Sequence, residues 1–302
     1  MTTRPVRSAT SDQPTDPAPL GWFARTAIAH PIMLLLGVAT VFVWTTQMTS
    51  ALAGVDLMPA KLAELLVLLG LAVAITRATD GRGGIRQLFA GLLRWRLGWR
   101  YLLLLLPMPL LTIGVAAATG TFHAPPAGWV AIGLTYLFFL VLGAVTGNLW
   151  EETVWGAFVQ GRLMARHGLL VGSLLTALPV FLVHLPLAFE TNGWHGTTWR
   201  DALISWGVLL LAAPFQRYLI GTLLIDTGGS TLAAGLMHAS INAAGAMAVI
   251  PGGWQHVPAL MVLTLAVVAF RSWRGLSATD GYAPALTPAS EAAERTSLGT
   301  TP

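Results

Sequence analysis

The sequence predicts an all-α membrane protein, a polytopic bundle of about eight transmembrane helices with an amphipathic helix on its cytoplasmic side. Hydrophobic residues make up 55% of the 302 residues and charged residues only 10%, and the mean hydropathy is +0.68. Soluble domains carry about 25% charged residues. This composition excludes a soluble enzyme, a disordered protein and a nucleic-acid-binding protein, and the basic residues form no cluster that would bind nucleic acid.

Eight apolar runs supply the predicted helices, because about 20 helical residues cross a hydrocarbon core of ~30 Å. They cover residues 31–51, 60–76, 101–118, 129–150, 169–189, 202–224, 230–250 and 254–270. The second and the last are short, so the expected count is eight, give or take one. The runs define a membrane domain at residues 22–274. It is flanked by polar tails at residues 1–21 and 275–302, which we expect to be disordered and cytoplasmic.

The basic residues indicate the orientation of the chain. With the N-terminus inside, fifteen of the 17 lysines and arginines fall in cytoplasmic segments, and only Lys61 and Arg200 lie outside. Because positive charge concentrates in cytoplasmic loops, we expect a multi-pass cell-membrane protein with both termini in the cytoplasm. Lys61 is the single lysine, a bias that is typical of a GC-rich genome and favours a bacterial source.

Residues 84–100, between the second and third runs, predict the amphipathic helix. Apolar side chains alternate there with Arg86, Arg94, Arg96 and Arg100 at roughly helical spacing. That pattern is typical of a helix on the anionic inner leaflet of the membrane. The alternative interpretation is a plain cytoplasmic loop.

Two adjacent acids, Glu151 and Glu152, lie where lipid is expected. Eleven residues separate Glu151 from Arg162, which corresponds to roughly 16 Å of helix at a rise of about 1.5 Å per residue. Ionisable side chains at such depth are costly and mark functional sites. The alternative is that the fourth helix ends at Trp150 and leaves both glutamates at the interface, but the apolar period continues past them.

Three further polar residues lie at comparable depth on two other helices. His238 lies about 15 Å from the cytoplasmic end of its helix, and Asn242 shares its face four residues later. Counted from Arg166, His184 lies about 10 Å deeper than the glutamates, a gap that a loop extending to about Ser173 would remove. The candidate site comprises five residues on three helices, Glu151, Glu152, His184, His238 and Asn242.

Four chemistries use such a set of residues. Two histidines and a carboxylate are ligand types for Zn²⁺, although no HExxH motif is present. Glutamate and histidine chains also relay protons in carriers. A serine mechanism lacks partners, since Ser240 points away from His238, and the absence of cysteine excludes a thiolate nucleophile. In direct hydrolysis, a glutamate takes a proton from water while His or Asn donors stabilise the oxyanion.

At these residues the sequence resembles the CPBP family of intramembrane glutamic endopeptidases, which includes type II CAAX prenyl proteases and bacteriocin-processing or immunity proteins. The first family motif, a Glu-Glu pair before a Trp-Arg-Gly-Phe-like run, is similar to EETVWGAF at 151–158. The second, a stretch with phenylalanine that ends in His-Leu-Pro, is similar to FLVHLP at 181–186. The third, His-x-x-x-Asn after a Thr-Gly-Ser-like turn, is similar to DTGGSTLAAGLMHASIN at 226–242. The likeness spans about residues 84–245.

The resemblance implies that Glu151 is the general base and that His184 helps to hold and polarise the water. His238 and Asn242 correspond to the oxyanion donors, and Glu152 corresponds to the second glutamate of the family. We expect no cofactor. Zn²⁺ bound by His184, His238 and Glu151 remains the alternative.

Two positions depart from the family pattern. The arginine expected four residues after Glu152 is Gly156. Without such a partner, adjacent buried carboxylates are expected to titrate as a coupled pair, unless Arg217 of another helix substitutes. The aromatic residue expected four residues before His184 is Val180.

We therefore expect an intramembrane glutamate-type endopeptidase that hydrolyses a peptide bond with a Glu-activated water, in a membrane-embedded cavity facing the cytoplasm. Its partners would be the lipid bilayer and a peptide or protein substrate, membrane-anchored substrates included, but not nucleic acid. The alternative, favoured by Gly156, is a catalytically impaired relative that acts as a membrane binding, immunity or scaffold protein. A proton-coupled carrier is less favoured, because the sequence shows no inverted repeat.

Overall fold

The computed structural model describes residues 21–124, 128–247, 250 and 253–276. These residues form helices and their connections, and no strand occurs among them. The segments long and apolar enough to cross a membrane are Pro31–Ala53, Met58–Leu93, Arg100–Ala118, Gly128–Phe189, Trp199–Asp226 and His256–Trp273. The predicted all-α polytopic bundle is thereby confirmed. Residues 1–20 and 277–302, which make up nearly all of the two predicted tails, lie outside the described residues.

The first described part of the chain, residues 21–124, contains five α-helices. They are α1 (Trp22–Ala29), α2 (Pro31–Ala53), α3 (Met58–Ala90), α4 (Arg100–Leu105) and α5 (Pro107–Ala118). Pro31 begins α2, where its missing N–H breaks no helical hydrogen bond. Gly54 ends the same helix with a φ of 66°, a left-handed conformation that favours glycine.

The predicted amphipathic helix at residues 84–100 is correct only in its first half. Gly81, with φ 68° and ψ −158°, breaks α3 and redirects the chain. Helix then continues to Ala90, and a 3₁₀ turn covers Gly91–Leu93. Residues 94–99 are not helical. The helical part packs against the rest of the protein, because Leu88 is fully buried in the core around α3.

A single 62-residue helical segment, Gly128–Phe189, carries the fourth and fifth apolar runs. Its parts are α6 (Gly128–Gly143), a π-helix (Ala144–Asn148), α7 (Leu149–Glu151), a second π-helix (Glu152–Gln160), α8 (Gly161–His184) and a 3₁₀ turn (Leu185–Phe189). π-Helical turns are rare and are frequently found at functional sites. Here the first ends three residues before Glu151, and the second begins at Glu152.

Gly168 folds this segment into a hairpin. Its φ of 75° and ψ of 175° interrupt α8. A Cβ atom on Gly172 would lie 2.7 Å from the Cα atom of Met164, so the chain returns along itself. The side chains of Gln160 and Ser173, thirteen residues apart, are joined by a 3.1 Å hydrogen bond. The two apolar runs are therefore the two arms of one hairpin.

Four helices complete the bundle. They are α9 (Gly193–Gly196), α10 (Trp199–Asp226), α11 (Thr231–Gly245) and α12 (His256–Trp273). The hydroxyl groups of Thr198 and Ser230 cap α10 and α11 by accepting backbone N–H groups at 3.2 and 3.1 Å. With 15 residues, α11 is shorter than the predicted run at 230–250. It packs against α4, α5, α6 and α10 at the centre of the bundle.

The outer surface of the long helices is apolar. Val41, Leu66 and Val130 are exposed by 69, 72 and 74% of their surface. A water-soluble protein rarely exposes contiguous apolar surface on this scale. The surface is suited to lipid, which agrees with a multi-pass membrane protein.

Candidate active site

A cavity of about 290 Å³ lies between α2, α3, α10, α11 and the hairpin. Four of the five predicted site residues line it, namely Glu151, His184, His238 and Asn242. Glu152, the fifth, lies behind the wall of the cavity and is fully buried. The structure thus brings together residues that are up to 91 positions apart in the sequence.

The hairpin sets the level of Glu151 and His184. Glu151 lies seventeen residues before Gly168, and His184 lies sixteen residues after it. Equal arms place the two side chains at the same depth, so the difference of about 10 Å expected by counting from Arg166 does not arise. A loop extending to Ser173 is not formed, because helix resumes directly after Gly168.

Gly235 allows the third motif, on α11, to contact the first motif, which begins in α7. A Cβ atom on Gly235 would lie 2.9 Å from the Cα atom of Leu149. Since real Cβ atoms do not approach so closely, only glycine allows α11 to contact α7 here. Three residues later, His238 reaches both glutamates, with its Nδ1 atom 2.8 Å from Glu152 and 3.7 Å from Glu151.

Glu152 is held by an arginine from another helix. Arg217 of α10 donates from both terminal nitrogens, one to each carboxylate oxygen of Glu152, and the bond from Nη1 measures 3.1 Å. The two side chains are exposed by only 1 and 0%. His238 adds a hydrogen bond from Nδ1 to Oε1. A two-pronged arginine–carboxylate contact is the strong form of ion pair and fixes the orientation of both groups.

Gly156 is the residue that makes room for this pair. A Cβ atom at this position would lie 2.7 Å from Oε2 of Glu152. The arginine beside Glu152 is instead Arg217 of α10, the substitute that the sequence offered.

The neighbours of Arg217 keep it in place. The side-chain amide of Gln160 donates to the carbonyl oxygen of Arg217 at 2.5 Å and to the Ser173 hydroxyl at 3.1 Å. Every residue of Glu152–Gln160 is buried. We refer to Glu152–Gln160 together with Arg217 as the sealed layer. It forms the floor beneath the cavity.

Glu151 lies in a different environment from its neighbour. Its side chain is 32% exposed and faces the cavity. One carboxylate oxygen accepts a long hydrogen bond of 3.4 Å from the Asn148 amide. No arginine or lysine within the described residues forms an ion pair with it. Its oxygens remain accessible to a small molecule in the cavity.

His184 is oriented by backbone. Its Nδ1 atom lies 2.7 Å from the carbonyl oxygen of Val180. Because a carbonyl oxygen only accepts, Nδ1 carries the hydrogen, and in the neutral ring Nε2 is an acceptor. The departure from the family pattern at Val180 leaves this contact intact, since it uses the main chain.

Two polar residues in the cavity were missed from the sequence. The Gln47 amide donates to Glu64 at 2.6 Å, and both side chains line the cavity opposite the hairpin. Glu64 lies only four residues after the predicted start of the second apolar run at residue 60, where an acidic residue is typical of a helix end. The detectable signal was a polar residue within each of two neighbouring apolar runs.

The positions of Ser240 and of the two histidines bear on the serine and zinc alternatives. The Ser240 hydroxyl lies 2.8 Å from the Tyr136 hydroxyl on the other side of α11, so it points away from the cavity, as predicted. His184 and His238 each use Nδ1 for a protein hydrogen bond, which leaves only Nε2 of each ring for a metal. Among the described residues, no three His, Asp or Glu side chains are grouped to hold an ion.

The comparison with known families agrees with the three motifs. Residues 132–244 match the model of a family described as type II CAAX prenyl endopeptidase Rce1-like. No individual curated protein matches the chain significantly. The matched stretch contains the cavity residues of the hairpin and of α11, and also the sealed layer. Residues 132–244 of this chain are therefore similar to a Rce1-like domain, of a family of membrane proteases, and the resemblance drawn from the motifs is confirmed.

Proposed function

We propose that this protein is an intramembrane endopeptidase in which Glu151 activates a water molecule to hydrolyse a peptide bond. The proposal rests mainly on the different environments of two adjacent glutamates. Of two adjacent glutamates, Glu152 is neutralised by Arg217, whereas Glu151 faces the cavity without a basic ion-pair partner of that kind. A carboxylate that is accessible and free of a strong partner is suited to take a proton.

The first step needs a water molecule between Glu151 and His184. The Glu151 carboxylate accepts one proton of the water, and Nε2 of His184 accepts a hydrogen bond from the other. The water oxygen attacks the carbonyl carbon of the scissile peptide, whose oxygen becomes an oxyanion. When the tetrahedral intermediate collapses, Glu151 returns its proton to the leaving nitrogen, and the peptide C–N bond breaks.

His238 and Asn242 supply the donors to the oxyanion. The Asn242 amide donates in any protonation state. Nδ1 of His238 is used by Glu152, so His238 donates to the oxyanion from Nε2 only when the ring carries both protons. Both glutamates lie near this ring, with Glu152 2.8 Å and Glu151 3.7 Å from Nδ1. Fixed donors aimed at a developing charge are a major source of catalysis.

The structure weakens the reason for a catalytically impaired protein. That alternative was based on the missing arginine at Gly156, and Arg217 now occupies the corresponding place beside Glu152. The substrate in this proposal is a peptide or protein segment, membrane-anchored ones included. No residue of the cavity favours one such class over another.

The test is hydrolysis of a quenched-fluorescent peptide library by detergent-purified protein, with and without a metal chelator. Removal of a general base lowers the rate by about 10²–10⁴-fold, and we expect a loss of this size in Glu151→Gln. Asp226→Asn is the matched control, because Asp226 is 45% exposed and pairs with Arg271 away from the cavity.

Cleavage that is lost in Glu151→Gln, retained in Asp226→Asn and insensitive to chelator supports the glutamate mechanism. Equal activity in Glu151→Gln and wild type contradicts the assignment of the base. Cleavage that the chelator abolishes points instead to a metal held by His184, His238 and Glu151.

A further inference from the structure

Eleven of the fourteen basic residues within the described ranges lie at one end of the bundle, here called the arginine-rich end. They belong to α1, to the end of α3, to the connection from α3 into α4, to the tip of the hairpin near Gly168 and to the end of α12. Contacts tie these segments together. Arg162 of the hairpin donates to Asp80 of α3 at 2.9 Å, and the Ser230 hydroxyl donates to the Arg94 carbonyl oxygen at 3.1 Å.

The cavity belongs to the opposite end. Lys61 lines the cavity, is 33% exposed and forms a 2.8 Å ion pair with Glu190. Lys61 and Asp80 are nineteen residues apart in α3, about 28 Å by helix rise. That distance is close to the ~30 Å of a hydrocarbon core. The two ion pairs, Lys61–Glu190 and Arg162–Asp80, therefore mark the two faces of the membrane.

The sealed layer separates the cavity from the arginine-rich end. Between the cavity floor and Arg162 lie Phe158 and Gln160, both fully buried, and the ion pair of Glu152 with Arg217. At the other end, among the described residues, the Lys61 side chain is half-buried and the Glu190 side chain is exposed. Water and substrate consequently reach Glu151 from the face that carries Lys61 and Glu190.

We infer that the cavity opens on the non-cytoplasmic face of the membrane. Positive charge concentrates on the cytoplasmic side, which places the arginine-rich end in the cytoplasm and the mouth of the cavity on the other side. The sequence predicts the same orientation of the chain but a cavity that faces the cytoplasm. If the proposed peptidase function holds, the substrate is a peptide segment that is exported or displayed outside the cytoplasm.

The test uses single cysteines, because the chain contains none of its own. Lys61→Cys and Arg200→Cys report on the cavity end, and Arg86→Cys and Arg166→Cys are matched exposed positions on the arginine-rich end. Intact cells are treated with a charged maleimide that does not cross the bilayer, and the labelling is compared with that after lysis. We expect Lys61→Cys and Arg200→Cys to be labelled in intact cells, and Arg86→Cys and Arg166→Cys to be labelled only after lysis.

The reverse pattern overturns the inference and places the cavity mouth in the cytoplasm. Labelled Arg200→Cys beside Lys61→Cys that stays unlabelled even after lysis also overturns it, because the mouth is then closed to water. The readout needs no hydrolysis, so a protein that cleaves nothing still reports its orientation, and failure of the proposed function is distinguished from failure of this inference.

Discussion

The cavity and the sealed layer divide two adjacent glutamates between two environments. Glu151 is 32% exposed and has one long hydrogen bond, whereas Glu152 is fully buried and is held by Arg217 and His238. The peptide unit that joins them is the boundary between the cavity and the sealed layer. The difference shows that an ion pair on one carboxylate leaves its neighbour as the group available for chemistry.

The largest expected effect comes from neutralising the two glutamates one at a time. Glu152→Gln leaves the Arg217 charge buried without a counter-charge, and breaking a buried pair in this way costs about 3–5 kcal/mol. Glu151→Gln removes a partly exposed charge without such a partner and should cost below about 1 kcal/mol. The free energy of unfolding in detergent, measured by titration with sodium dodecyl sulfate, checks both values. Equal losses in the two variants would remove the distinction between the two regions.

A smaller effect is expected at the glycine that accommodates the ion pair. Gly156→Ala places a Cβ atom 2.7 Å from the Glu152 carboxylate, and overpacking of this kind costs about 1–3 kcal/mol. Gly207→Ala in α10 is the matched control, because nothing lies within 4 Å of its added Cβ atom. That variant should be neutral or more stable by up to about 1 kcal/mol, through helix propensity. A stable Gly156→Ala protein would show that the sealed layer has spare room.

The smallest effect is expected at the mouth of the cavity. The Lys61–Glu190 pair is one-third exposed, and exposed pairs contribute about 0–1 kcal/mol. Lys61→Met should therefore have nearly the same melting temperature in detergent as the wild type. The difference between the two proteins should not change with salt concentration. A loss as large as that of Glu152→Gln would mean that the open end is as rigid as the sealed one.

The sequence was sufficient for the all-α polytopic class and for four of the residues that line the cavity, and the reasons are physical. Hydrocarbon thickness dictates the length of apolar runs, and the cost of burying charge makes Glu151, Glu152 and His238 conspicuous within them. Depth was harder to predict, because the reversal at Gly168 depends on packing of Gly172 against Met164. No periodicity along the chain reports such a contact.

Pairing between helices was also beyond the sequence. Arg217 was recognised as a candidate partner of Glu152, but its role depends on the positions of α10 and the hairpin. Glu64 and Gln47 were missed because a polar residue near the end of an apolar run is ordinarily interfacial, and only their mutual contact at 2.6 Å reveals a shared wall of the cavity.

The origin of Arg217 has a consequence for how relatives are recognised. The guanidinium that accompanies the second glutamate comes from a helix 65 residues downstream, while the position within the first motif holds glycine. A linear pattern that demands arginine four positions after the second glutamate would discard such a chain as inactive. The charge beside the second glutamate can thus come from either of two helices. A search that accepts arginine at either position would retain chains like this one.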